Sequence, residues 1–184
     1  MHKLGLVAAA LVSLTAVAAA RPITAGVNLG LTQAGDNSAN TDPNHTLGLF
    51  GRFGFTERLG AQLEIQRIST DTTNVDIRTI TGLVVVELGS LGGGHLVPML
   101  VAGVGYDHAS DGFGDTAGHH IEGGLSLEYR VDGGFTIGAG FRLGGRSIDS
   151  DTRAVPLANV ELYVPSYLRE GDYRSVGAYA GVRF

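Results

Sequence analysis

The sequence predicts an all-β chain: an eight-stranded antiparallel up-and-down transmembrane β-barrel with short turns at one end and longer loops at the other. Three observations carry this. The closing stretch, YRSVGAYAGVRF from Tyr173 to Phe184, sets Val176, Ala178, Ala180, Val182 and Phe184 against Gly177, Tyr179, Gly181 and Arg183. A period of two puts these sets on opposite faces of a strand. The same alternation recurs along the chain, whereas apolar spacing at three and four is missing. Finally, the connections alternate long and short, the asymmetry of barrels with tight periplasmic turns and longer outer loops.

The first twenty residues stand apart. His2 and Lys3 precede the apolar run Leu4 to Ala20, which ends Ala18-Ala19-Ala20 and is followed by Arg21 and Pro22. A charged start, an apolar middle and a small-residue end read as a secretory signal peptide cleaved near Ala20. Residues 21–184 then form one barrel domain. Cleavage removes Lys3, the only lysine, and takes the formal net charge from −5 to −6. An acidic chain argues against nucleic acid as a partner. Cysteine is absent, so an exported chain must be held by hydrogen bonding and packing alone. No later stretch reads as a spanning helix. A membrane location therefore requires a closed sheet, because lipid satisfies no backbone group.

The first strand is predicted over residues 23–32, with Ile23, Ala25, Val27, Leu29 and Leu31 on one face. A polar segment, 33–44, follows. The second strand spans 46–55, with Leu47, Leu49, Phe53 and Phe55 opposite Gly48, Phe50, Arg52 and Gly54. After the turn TERL, the third strand covers 60–69, where Ala61, Leu63 and Ile65 oppose Gln62, Glu64 and Gln66. The loop 70–75 leads to a fourth strand, 76–88. Its alternation is blurred, but placing Glu87 inward puts Ile80, Val84, Val86 and Leu88 outward.

The glycine-rich turn GSLGGG precedes the fifth strand, 96–107, whose outward face runs from Leu96 through Pro98 to Tyr106. Pro98 is awkward in a central strand and tolerable near a strand start. The loop HASDGFGDTAG, 108–118, comes next. The sixth strand, 119–130, sets Ile121, Gly123, Leu125, Leu127 and Tyr129 against Glu122, Gly124, Ser126, Glu128 and Arg130. The turn VDGG leads to the seventh, 135–148, where Phe135, Ile137, Ala139, Phe141 and Leu143 oppose Thr136, Gly138, Gly140, Arg142 and Gly144. The long connection 149–172 includes VELYV, a candidate small strand. These strands have the length a tilted membrane strand needs, about 9–11 residues.

Two internal checks agree. Phe55, Tyr129, Phe135 and Phe184 lie on the apolar face beside the short turns, and Tyr106 marks the opposite rim. Aromatic rings at both boundaries are what a barrel's lipid–water interfaces need. The other face carries Arg52, Glu64, Glu87, Glu122, Glu128, Arg130, Arg142 and Arg183, balanced in sign. A narrow lumen demands such pairing, because an unpaired buried charge is costly. A soluble lipocalin-like barrel would instead bury the apolar face.

Chemistry is thinly signalled. DHASDGFGD lacks the ligand pattern of an EF-hand and reads as a solvated polar loop. Ser126, His120 and Glu122 offer the residue types of a nucleophilic site, but spacing gives no sign that they touch. GAGFRLGG, 138–145, lies within a strand and leads to no helix, so it is no phosphate loop. The sequence implies no enzyme, cofactor or metal.

The segments TLGLFGRFGFTERLGAQLE, LVPMLVAGVGYD, IEGGLSLEYRVDGGFTIGAGFRL and the terminal AYAGVRF resemble the small eight-stranded outer-membrane barrels of the OmpA/OmpX type. The resemblance covers residues 21–184. It implies residence in the outer membrane of a Gram-negative-type bacterium, with the lipid bilayer as constant partner. Val182 and the terminal Phe184 look like the signal read by the barrel assembly machinery during biogenesis. Barrels of this size that act on lipid A carry a lipid-facing His–Ser pair on one strand, and none is seen. The expected role is a structural or surface-interaction protein meeting any extracellular partner through its outer loops. The loop 149–172, with Tyr163 and Tyr167 in it and Tyr173 at its edge, is the first candidate for that contact. The alternative is a narrow channel for water or small solutes.

Overall fold

The computed structural model describes residues 22–34, 43–69, 76–110, 115–148 and 170–184. They form eight strands: β1 (Ile23–Ala34), β2 (Asn44–Gly54), β3 (Leu59–Ser69), β4 (Asp76–Glu87), β5 (Leu96–Ser110), β6 (Asp115–Arg130), β7 (Phe135–Ile148) and β8 (Glu170–Arg183). Each pairs antiparallel with its sequence neighbours, and β8 returns to β1, closing the barrel. Closure removes every sheet edge, so the strand backbones find partners without water. The seam is finished by the last residue: Phe184 N–H donates to Ile23 O at 2.8 Å, and Ile23 N–H to Phe184 O at 3.3 Å.

Alternation decides which side chains meet lipid. Val27, Leu49, Leu63, Ile80, Val104, Ile121, Leu125, Leu143 and Val176 all point outward and stand about half exposed. An apolar surface this extensive is not left to water in a soluble monomer. Phe55, Tyr129 and Phe135 lie on this outer face beside the short turns, and Phe184 is 79 % exposed there. Tyr106 also faces outward, nearer the opposite rim.

The short turns are built by glycine. Gly92, Gly93 and Gly94 (φ 60°, 76° and 100°) let the chain reverse through a short 3-10 turn between β4 and β5. Gly133 and Gly134, at φ 96° and 88°, do the same between β6 and β7. Side chains with a Cβ are disfavoured in that region. Pro98 sits inside β5, opposite Leu127. Its carbonyl accepts from Leu88 N–H at 2.9 Å, just past the end of β4. In an antiparallel strand the N and C=O of a residue face the same neighbour. The missing N–H therefore falls where the β4–β5 ladder is already ending.

Several sequence expectations change. The loop expected over 108–118 is largely strand: β5 runs on to Ser110 and β6 begins at Asp115. β8 begins at Glu170 rather than Tyr173, and β1 and β2 extend into the segment expected as loop 33–44. The blurred alternation of β4 has a packing cause. Its inward residues Ile77, Leu83 and Val85 are also apolar and buried. Val85 packs with Val97, Met99 and Val101 of β5, and Tyr179 leans on the group. One wall of the lumen is thus greasy, which the expectation of a charged and glycine-rich interior did not foresee. The leader 1–20, the VELYV segment, Tyr163 and Tyr167 lie outside the described residues.

Candidate functional site

The inward face is the distinctive site. β2 and β6 stand four strands apart in an eight-stranded ring, as do β3 and β7. Side chains that join these pairs cross the full width of the lumen. They do so in two tiers, and a third tier above them joins nearer strands.

Nearest the short turns, Arg52 of β2 reaches Glu128 of β6, Nη1 to Oε2 at 2.6 Å. The same guanidinium donates from Nε to Gln62 at 2.6 Å. Arg130 holds the other oxygen of Glu128 at 2.9 Å and also donates to Glu87. Tyr179 O–H donates to Glu128 at 3.2 Å. The carboxylate of Glu128 is 1 % exposed and has three donors.

In the middle tier, Arg142 of β7 grips Glu64 of β3 with both terminal nitrogens, at 2.8 and 2.6 Å. Two-toothed pairing is the strong form of this contact. Arg142 also donates to Glu122 at 2.8 Å, and Gln66 donates to Glu64 at 2.6 Å. Gln62 donates its amide to Glu64, which joins this tier to the one below.

The third tier was missed by sequence reasoning. Asp107 of β5 has no exposed surface. Arg146 Nε donates to its Oδ2 at 2.9 Å, and His120 Nδ1 lies 3.0 Å from both carboxylate oxygens. His120 Nε2 lies 3.0 Å from Thr81 Oγ1. With the Nδ1 proton turned to the carboxylate, Nε2 accepts from the threonine hydroxyl. The partners of His120 are therefore Thr81 and Asp107, not Ser126 and Glu122. Above them, Arg146 stacks over the Tyr173 ring, 4.9 Å from its centroid.

Tyr173 corrects the expectation of a partner-binding loop residue. It lies in β8, is buried in the lumen, and donates its hydroxyl to Glu122 at 2.9 Å, tying the middle tier to the third. Its side follows from the alternation of β8, in which residue 173 shares the inward phase of 177 and 179. Glycine makes room for it. A Cβ on Gly144 would collide with the Tyr173 ring, and one on Gly138 with the Tyr179 ring. Seven of the eight charges predicted for the lumen enter the tiers. Arg183 is half-buried at the short-turn mouth and makes no ion pair among the described residues.

Every buried side-chain polar atom among the described residues has a partner. The remaining space is divided. A cavity of 70 Å³ runs beside the tiers, lined by Arg52, Glu64, Thr81, His120, Arg142 and Tyr173 among others. A vestibule of 430 Å³ opens beside the short turns, lined by Thr24, Glu57, Glu87, Arg130 and Arg183, with Arg52 at its roof. Among the described residues, no group of three His, Cys, Asp or Glu side chains is placed to hold a metal.

The family model described as the outer membrane protein beta-barrel domain matches residues 4–184. The chain belongs to this family. Its home is accordingly the outer membrane of a Gram-negative bacterium. Three solved barrels share its fold. Neisserial surface protein A is 14 % identical over 89 % of this chain and 95 % of its own, with a TM-score of 0.59. The N-terminal β-barrel domain of OprF from Pseudomonas aeruginosa is also 14 % identical, over 88 % and 97 %, with a TM-score of 0.56. Ail, the attachment invasion locus protein of Yersinia pestis, is 13 % identical over 89 % and 99 %, with a TM-score of 0.54. No curated protein matches the sequence. At these identities the likeness extends to the fold and not to the tiers of the lumen.

Proposed function

We propose that this protein is a non-enzymatic, membrane-anchored surface barrel that meets extracellular partners through its outer segments rather than passing solutes through its lumen. One observation carries the reading. Arg52–Glu128 and Arg142–Glu64 each tie together opposite walls of the barrel, and above them Arg146–Asp107 links β7 to β5. A solute would have to break buried, fully paired charges in succession, each break costing several kcal/mol, on the order of 3–5. The Arg52 side chain stands between the two cavities and lines both, so the lowest bar lies across the way from one to the other.

The Thr81–His120–Asp107 chain has the connectivity of a nucleophile relay. Its acid is shared with Arg146, and all three groups are sealed from solvent, so the reading is structural. Residues 1–20 serve as the cleaved leader, and Val182 and Phe184 as the contact for the assembly machinery. The outer stretch around 149–169 is the first candidate for partner contact. Ail's own name links it to attachment and invasion, which agrees with a surface role for this fold without transferring it.

The test combines planar-bilayer recording with protease treatment of intact expressing cells. The expected result is no discrete conductance from the native barrel, with cleavage confined to the outer segments. Stable unitary conductance steps would replace this reading with the narrow channel.

A further inference from the structure

The outward wall carries one row that does not belong in lipid. Arg67 of β3, Arg78 of β4 and His108 of β5 are cross-strand partners in register. All three follow the outward alternation of their strands, and Arg67 and Arg78 are exposed. Like charges set directly opposite one another on a sheet are unfavourable. Asp76 relieves this in part, accepting from Arg67 at 3.0 and 2.6 Å. Arg78 makes no side-chain hydrogen bond or ion pair among the described residues. His119, outward beside Tyr106, extends the basic surface onto β6.

The height of this row matters. The next outward row toward the short turns is Ile65–Ile80–Tyr106, and the one beyond it is Leu63–Gly82–Val104. Two residues of strand separate successive rows, roughly 7 Å. The basic row therefore lies directly above the apolar band, at the end that carries the long connections. That end faces outward in membrane barrels. Below it, Gly82 leaves a notch in the apolar wall. A Cβ there would find nothing nearer than 4.0 Å, with Leu63 and Val104 as the rims.

We propose that Arg67, Arg78 and His108 seat the phosphate of an outer-leaflet lipid whose acyl chain lies in the notch over Gly82. A phosphate monoester offers the acceptor oxygens that a guanidinium pairs with two at a time. Bound between Arg67 and Arg78, it converts a repulsive pair into a bridged one. The half-wet headgroup layer strengthens that attraction relative to bulk water. The apolar rows beneath favour an anion that carries its own hydrocarbon over a free one.

The test is native mass spectrometry of the full folded barrel in detergent, titrated with diphosphorylated lipid A and with the same lipid stripped of phosphate. The phosphorylated form is expected to bind about tenfold more tightly, and Arg78→Ala to erase most of that difference, as the loss of one charge-assisted contact predicts. Arg58→Ala, at an exposed arginine in a short turn, is expected to leave both affinities as they were. Inorganic phosphate at the same concentration is expected not to displace the lipid. Equal binding of the two lipids, an unchanged Arg78→Ala barrel, or displacement by inorganic phosphate alone would each overturn the proposal. Heat-shifted gel migration of each variant confirms that the barrel is folded before it is titrated.

Discussion

Replacing Glu128 by alanine is expected to lower the stability of the folded barrel by about 3–5 kcal/mol, the scale for removing one partner of a buried ion pair. Glu128 is fully buried and accepts from Arg52, Arg130 and Tyr179. Its loss strands the Arg52 guanidinium beneath the greasy wall of Val85, Val97, Met99 and Val101. Gln62 keeps one contact to Arg52, and Glu87 keeps one to Arg130, but neither replaces the charge that bridged both. The variant also removes side-chain volume, so Glu128→Gln separates the two effects. It keeps the shape and loses the charge, and most of the destabilisation should remain. The measurement is a urea titration of refolding in lipid vesicles, followed by gel shift or circular dichroism, since the chain has no tryptophan. The same truncation at the exposed Arg67–Asp76 pair should leave the midpoint nearly unchanged, because solvent screens it. Equal sensitivity at both sites would contradict the role given to the lumen.

The second large effect is expected at Asp107. Asp107→Ala leaves Arg146 and His120 facing each other without the carboxylate that holds both. The loss should again be about 3–5 kcal/mol. Val97, the β5 partner of Glu128, lies ten residues before Asp107, so the two acids are separated by about 33 Å of strand. Glu128 and Asp107 have no partner in common, and sites that far apart without one usually contribute independently. The double variant Glu128→Ala/Asp107→Ala should therefore lose close to the sum of the single losses in the same titration. A double variant little worse than either single one would mean that the tiers unravel as a single unit.

The parts of the fold that sequence made legible are those that lipid imposes. Along β1, β6, β7 and β8, hydrocarbon outside and polar groups inside print a period of two, and side choice follows from it. Where both sides are apolar, the print fades: β4 turns Leu83 and Val85 inward, and only Glu87 fixed its phase. Above the hydrocarbon band the contrast vanishes for the opposite reason. His108, Ser110 and His119 face outward into polar surroundings, so 108–118 looked like loop, and Asp107 and His120 stood at the very ends of the expected strands. The third tier was hidden there. Tyr173 was misread similarly, because the polar residues before it carry no strand signal although β8 already includes them. A sharper clue was present in the pairing of inward glycine with inward aromatic. Gly138 with Tyr179, and Gly144 with Tyr173, occupy facing positions on β7 and β8. Which arginine meets which carboxylate depends on register and on the closure of β8 onto β1, and a single strand's alternation holds neither.

The central claim, that the apolar face meets hydrocarbon while the charged face closes the lumen, has a direct test. The chain has no cysteine, so a single Leu125→Cys substitution gives one labelling site in the middle of the outer face. A fluorophore placed there, with the barrel refolded into vesicles, should be strongly quenched by lipids brominated along their acyl chains. The same fluorophore at Glu57→Cys, in a short turn, should not be. A label at position 125 that acyl-chain bromine leaves bright would place this face away from lipid and contradict the account.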